Sequence, residues 1–165
     1  MNKPNIIFGL GAIVLAVAWY AFRPELLFIN KTVSEEFPGG RAMASIDKDT
    51  MVLTKGNFKG LAHETEGLAS IYRLADGRRT LRLTEFATSN GPDVHVYLVA
   101  AEVEKGNDAV KAAGFIDLGS IKGNIGDQNY DIPADADLNK YQTVSIWCAR
   151  FGVNFGTAPL ASAKS

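Results

Sequence analysis

The sequence predicts a mainly β protein, a single β-sandwich or distorted barrel of about seven to ten short strands, preceded by an N-terminal transmembrane helix. Three observations point there. From about residue 50 onward, short apolar runs recur between turns rich in glycine, asparagine and aspartate, a spacing that favours packed antiparallel strands over βαβ units. One long uncharged apolar run stands by itself at the N-terminus. Without that run, a chain of 165 residues has material for one core of ordinary size and not for two. The domain plan is therefore residues 1–23 as anchor or signal peptide, 24–49 as tether and 50–162 as one β domain.

The first element is the run from Ile6 to Phe22, bounded by Lys3 and Arg23. As a helix its 17 residues rise about 25 Å against a hydrocarbon core of about 30 Å, the short end of the spanning range. Trp19 and Tyr20 sit at its far end, where amphipathic rings favour the headgroup level, and Lys3 with the amino terminus supplies positive charge on the near side. This predicts a single pass through the cell membrane with the domain on the extracytoplasmic side. Ala16-Val17-Ala18 offers a small-x-small cleavage site, so a removed signal peptide is the competing reading. Both readings place the domain outside the cytoplasm. Because no cysteine follows the segment, a lipoprotein anchor is excluded.

Residues 30–49 carry mixed charges and Pro38-Gly39-Gly40 without sustained periodicity, as expected of an irregular or partly helical tether. Thr65 to Leu74 and Thr80 to Phe86 are strands flanking Asp76-Gly77, a hairpin signal. In the second, Leu81 and Leu83 alternate with Arg82 and Thr84, which predicts one buried and one wet face. Val94 to Ala101 and Thr143 to Arg150 are apolar on both faces and read as central strands. Glu102 to Gly114 and Ala134 to Lys140 have helix-compatible composition.

Composition excludes several functions. The 17 basic and 18 acidic residues are scattered, with no stripe to neutralise phosphates, so nucleic acid is not an expected partner. The single cysteine, Cys148, rules out an internal disulfide, a four-cysteine zinc site and a C-x-x-C pair. Asp127, Asp131, Asp135 and Asp137, with Asn124 and Asn129, lack the spacing and closing glutamate of a calcium loop and read as surface turns; no metal site is predicted. Neither a nucleophile elbow nor an H-E-x-x-H is present, and Gly119 to Gly126 fails the phosphate-loop pattern.

Three residues stand out as candidates for chemistry. Strand alternation puts Val144, Ile146, Cys148 and Arg150 on one face of S-I-W-C-A-R-F. Free cysteine is among the most buried residue types, so packing alone accounts for Cys148. A nearby arginine is also the condition that favours a thiolate, which makes Arg150 the candidate activator. Of the two histidines, His95 lies inside V-H-V-Y-L and reads as hydrogen-bonded and structural. His63 precedes a strand in a loop and is freer to pair with Cys148 as a thiol–imidazole couple or to ligate an iron.

The order of segments H-E-T-E-G-L-A-S-I-Y, L-R-L-T-E-F, G-P-D-V-H-V-Y-L, L-G-S-I-K-G-N-I-G-D-Q-N-Y-D-I-P and S-I-W-C-A-R-F-G-V-N-F-G-T-A-P-L resembles the DM-thirteen electron-transfer domain of Skeletor-type proteins. The resemblance covers roughly Met51 to Leu160. It implies a β-rich extracytoplasmic domain acting in redox reactions through one cysteine, which falls here on Cys148, as a bare thiol or as ligand to a group such as haem. His63 occupies the histidine of the family's H-x-x-x-G. Gly91-Pro92-Asp93 and Lys122-Gly123-Asn124 match its turns and read as structural. Without C-x-x-C-H, any haem is non-covalent.

Two functions follow as expectations. One is a membrane-tethered extracytoplasmic redox module that uses Cys148 with His63 and Arg150 and exchanges electrons with a redox partner protein. The other is a non-catalytic binding or scaffold module of the cell envelope in which Cys148 only packs, consistent with the lack of a recognisable catalytic constellation.

Overall fold

Turn residues cut the chain into strands, and the side-chain period of two then decides which face of each strand is buried. A computed structural model describes residues 3–22, 29–38, 50–100 and 107–163. Helix α1 (Lys3–Phe22) precedes β1 (Thr32–Ser34), β2 (Met51–Asn57), β3 (Lys59–Gly60), β4 (Thr65–Arg73), β5 (Arg79–Thr88) and β6 (Val94–Val99). Helix α2 (Asn107–Ala113) leads into β7 (Phe115–Ser120), β8 (Ile125–Ile132), β9 (Thr143–Cys148), β10 (Val153–Pro159) and β11 (Ala161–Ser162). The eleven strands among the described residues exceed the expected seven to ten because β1, β3 and β11 are only two or three residues long, too short to leave a periodic trace.

Two open sheets form, ordered β1-β8-β5-β4-β2-β11 and β3-β10-β9-β6-β7. Neither closes on itself, so of the two expected architectures the fold is sandwich-like and not a barrel. Ile71, Leu81 and Leu83 from the first sheet meet Val96, Leu98, Val144 and Ile146 from the second in one core. All seven are fully buried, and each such side chain contributes about 1.5–3 kcal/mol relative to exposure. On the outer face of the second sheet, Val110 of α2 covers Tyr97, Val99 and Trp147.

The β4–β5 hairpin closes as its Asp76-Gly77 signal predicts. Leu74 N–H donates to Arg78 O at 2.8 Å, and Gly77 takes φ of 85°, a conformation that favours glycine. Other expectations need correction. The face of β5 opposite Leu81 and Leu83 is not wet: Arg82 is only 5% exposed because the segment after β1 lies across it. That segment was expected to be irregular, yet Thr32–Ser34 pairs in parallel with β8 at Ile125, Gly126 and Asp127. This close approach requires glycine at Gly126, whose φ is 99° and where a Cβ would strike the Val33 carbonyl. Asp127 and Asp131, expected in surface turns, lie in β8. Residues 134–140 form turns and no helix. The helix expected over Glu102 to Gly114 is realised as α2, residues 101–106 lying outside the described residues, as do residues 23–28 and 39–49 of the expected tether.

Helix α1 has 20 residues, and its side chains are described from Gly9 to Tyr20. Among the described residues no helix is long and apolar enough to cross a membrane. Leu10, Ile13, Val14, Leu15, Val17 and Trp19 of α1 are all largely exposed.

Candidate functional site

Strand β9 fixes the position of Cys148. Its alternation sends Val144, Ile146 and Cys148 into the core between the sheets and Trp147 to the outer cluster under α2. Cys148 is the last residue of β9, paired with Val94 at the start of β6 and with Val153 at the start of β10. Its exposure is 0%. The strand was expected to continue to Arg150 but stops two residues earlier. Gly152 N–H donates to Cys148 O at 2.9 Å, closing a turn over residues 149–152, so strand alternation does not carry Arg150 onto the face of Cys148. Arg150 is exposed in that turn.

His63 lies in the loop between β3 and β4, half-buried. Leu61 and His63 both donate their backbone N–H groups to Phe155 O, at 2.8 and 3.2 Å, which lays the loop along β10. The imidazole then packs on the Phe155 ring with centroids 4.0 Å apart. Phe155 belongs to the same core as Cys148, and a Cβ placed on Gly91 would fall 3.0 Å from its ring. Ala149 N–H donates to Asp93 O at 2.8 Å. His63, Gly91-Pro92-Asp93 and Cys148 are therefore gathered at one end of the sandwich, with the Phe155 ring next to His63 and Gly91.

A cavity of about 390 Å³ opens at that end, lined by Ile29 to Lys31, Asn90 to Val94 and Ser120 to Asn124. Both turns that the sequence marks as structural, Gly91-Pro92-Asp93 and Lys122-Gly123-Asn124, contribute walls. Asn124 ties the three segments together. Its Oδ1 accepts from Lys31 N–H at 2.7 Å, and its Nδ2 donates to Thr88 O at 3.1 Å and to Asn30 Oδ1 at 3.0 Å. Behind the wall, fully buried Gln128 accepts from Lys122 N–H at 2.9 Å and from the Tyr130 hydroxyl at 2.8 Å, and donates to Gly123 O at 2.7 Å. Burial pushes the Tyr130 phenol far above its ordinary range, the Lys122 amide opposing this and the Glu35 carboxylate adding to it.

At the rim stands a cluster that sequence reasoning reduced to one structural histidine. His95 Nδ1 lies 2.9 Å from Asp117 Oδ2, and Nε2 lies 3.1 Å from Asp93 Oδ1. Partial burial disfavours the imidazolium, but hydrogen bonds and charge from Asp117 and Asp93 outweigh it, so the net shift is above the ordinary 6.5. D-V-H carries a legible signal for half of this, since residues two apart share a strand face. Asp117 was not legible, because its place opposite the histidine depends on a register shift between β6 and β7.

Clustering of His63, Cys148 and the two turns is thus in the structure, while Arg150 stands apart from the cavity. A non-covalent haem does not fit this arrangement. Cys148 has no exposed surface, and neither it nor His63 lines the cavity at this end of the sandwich, so no sulfur is presented there to an iron. No group of three or more histidine, cysteine, aspartate or glutamate side chains among the described residues is arranged to hold a metal. Among known families, the model described as Electron transfer DM13 matches residues 57–160, more than half of the chain. No curated protein and no solved structure matches.

Proposed function

Since this chain belongs to the electron transfer DM13 family, we propose that it is a single-pass, membrane-tethered extracytoplasmic module that exchanges electrons with a redox partner protein through the sulfur of Cys148. The observation that carries the proposal is the convergence at one end of the sandwich of Cys148, His63 and both family turns. An electron-transfer role does not require a standing opening to solvent. Chemistry at the sulfur does require a route for a proton, and local opening where β9 ends at Cys148 would provide it. His63, packed on the Phe155 ring at the same end, is the candidate to assist.

The tether reading rests on the uncharged run Ile6 to Phe22 and on the exposed apolar side chains of α1. A helix that is apolar all round and uncovered by its own domain needs another apolar environment. The extracytoplasmic orientation rests on Lys3 on the near side and on Trp19 and Tyr20 at the far interface.

One observation favours a second reading, a binding or scaffold module: Cys148 is wholly sealed among apolar side chains, as a packing residue is. The full-length chain in detergent, titrated with soluble one-electron mediators before and after Cys148→Ala, decides between them. Redox activity that disappears in a folded Cys148→Ala variant supports the sulfur as the active group. Activity that persists unchanged, or a wild-type protein without any, leaves the scaffold reading.

A further inference from the structure

We propose that His95 is a proton-operated latch on the end of the sandwich at Cys148. As an imidazolium it grips Asp93; as a neutral ring it turns to Ser120 and releases Asp93, which eases local opening beside the sulfur. This rests on the reading of Cys148 as the active sulfur and names what controls access to it.

The geometry fixes the charge of the closed state. Asp117 lies against Nδ1 at 2.9 Å and Asp93 against Nε2 at 3.1 Å, so each ring nitrogen faces a carboxylate, which can only accept. A neutral imidazole has one donor, and its other nitrogen would meet a carboxylate lone pair to lone pair. Only the imidazolium satisfies both contacts.

Loss of the proton releases one contact in particular. Asp117 meets Nδ1 with both oxygens, at 2.9 and 3.1 Å, and is itself held by Gly119 N–H at 2.8 Å. Asp93 meets the ring through a single oxygen. The remaining proton therefore stays on Nδ1, and the lone pair forms on Nε2. Ser120 Oγ stands 3.5 Å from that nitrogen, placed there by the pairing of Ser120 with His95 across β6 and β7. A shift of about half an ångström lets its hydroxyl donate to the neutral ring in place of the lost contact.

Asp93 passes this change to the sulfur. Its carbonyl accepts from Ala149 N–H at 2.8 Å, next to the Val94–Cys148 pair that joins the ends of β6 and β9. Released from His95, the Asp93 side chain no longer braces that corner. Other groups on the neighbouring elements keep their charge state. Tyr97, next on this face of β6 with its ring 6.0 Å from the imidazole, has its phenol pushed above the ordinary range by burial and then by Asp117 and Asp93. Strand β9 places Trp147 opposite His95, Lys111 of α2 lies over the Trp147 ring at 5.9 Å, and Arg150 follows in the exposed turn; both cations persist well above neutral pH. Burial opposes the charge on His95, and Asp117 and Asp93 outweigh it, so the grip is fully present below 6.5 and is lost as pH rises through the folded value.

The test labels the full-length chain in detergent with N-ethylmaleimide, which reports on Cys148 alone because it is the single cysteine. Dividing each rate by that of the urea-unfolded chain at the same pH removes the ionisation of the thiol and leaves the opening constant. That constant is expected to rise about tenfold as pH passes through the His95 titration, the loss of one hydrogen bond to a charged group. Asp93→Asn is expected to flatten the profile, since an amide accepts from the imidazolium and donates to the neutral ring. Ser120→Ala, at an exposed position, is expected to move the ring titration of His95 and the opening midpoint upward together, because the neutral ring loses its donor; a merely structural serine would move neither. It also carries the test if Asp93→Asn does not fold. A wild-type constant independent of pH, a wild-type profile in folded Asp93→Asn, an opening constant equal to that of global unfolding in urea, or a folded chain that never labels overturns the proposal. Failure here alongside redox activity that depends on Cys148 removes the latch and leaves the redox reading standing; a working latch on a chain without such activity does the reverse.

Discussion

Substitution of Cys148 by serine and by alanine tests the burial that every account of this sulfur must accommodate. Cys148 is 0% exposed and packs in the core that includes Val94, Ile146 and Phe155. Alanine removes one sulfur, an apolar group on the scale of one to two methylenes, so at about 0.8 kcal/mol per methylene plus a small residual void the loss is about 1–2 kcal/mol. Serine refills most of the space but places a hydroxyl in apolar surroundings, adding about 1–3 kcal/mol if it finds no acceptor. Serine should therefore be the worse of the two by about 1–3 kcal/mol, although it is the closer in shape. Urea unfolding of the full-length chain in detergent, with unchanged slopes, measures the difference. Should serine match or exceed alanine in stability, the sulfur site is polar or hydrated and the dry-core reasoning is wrong.

Further expectations concern the framework that holds the site. Arg82→Met should cost about 3 kcal/mol, because it breaks a buried pair with Asp127 at 2.6 Å and bonds to Glu35 O and Asn129; hydrogen exchange should accelerate first at β1. A loss under about 1 kcal/mol would mean that desolvation of the guanidinium offsets its contacts. Gly126→Ala should destabilise by more than about 1 kcal/mol and loosen β1, since φ of 99° and the Val33 carbonyl both oppose a side chain; a neutral result by thermal unfolding would contradict the parallel pairing. The folded-state pKa of His95 is raised above 6.5, so its contribution is fully present below that value and is lost as pH rises through the folded pKa. Stability of the wild type relative to His95→Gln should fall over that window, and a flat difference would show that the Asp93 and Asp117 contacts are unimportant.

Local patterning made much of the β domain readable. Asp76-Gly77 gave the hairpin, and the apolar runs around Val96 and Ile146 gave the central strands, because turn chemistry and side-chain period act over a few residues. Contacts made over long sequence separations were not readable. Arg82 looks like a solvent-facing arginine until residues some 47 positions earlier cover it, and no periodicity within β5 encodes that cover. Cys148 illustrates the same limit. Alternation assigned its face correctly, but whether the strand ran on to Arg150 depended on the turn closed by Gly152. Of the site, the two turns were visible as motifs, while their shared cavity was not, since Asp93 and Ile121 lie 28 positions apart and the register of β6 to β7 brings them together.

One structural relation connects the proposed tether to the cavity. Residues 29–31 form part of the cavity wall, β1 follows at once, and Glu35 then anchors the segment by accepting from Asn129 N–H at 2.7 Å and from Lys122 Nζ at 2.8 Å. Burial alone would disfavour the charged Glu35 carboxyl, but Lys122 and Asn129 more than compensate and hold its pKa below 4.5. Lys122 is itself a cavity-lining residue, in the Lys122-Gly123-Asn124 turn. The chain leaving α1 is thus fastened to the domain through the same residues that shape the cavity, and an inserted flexible linker before Ile29 should leave the cavity intact, whereas one between Lys31 and Glu35 should open it.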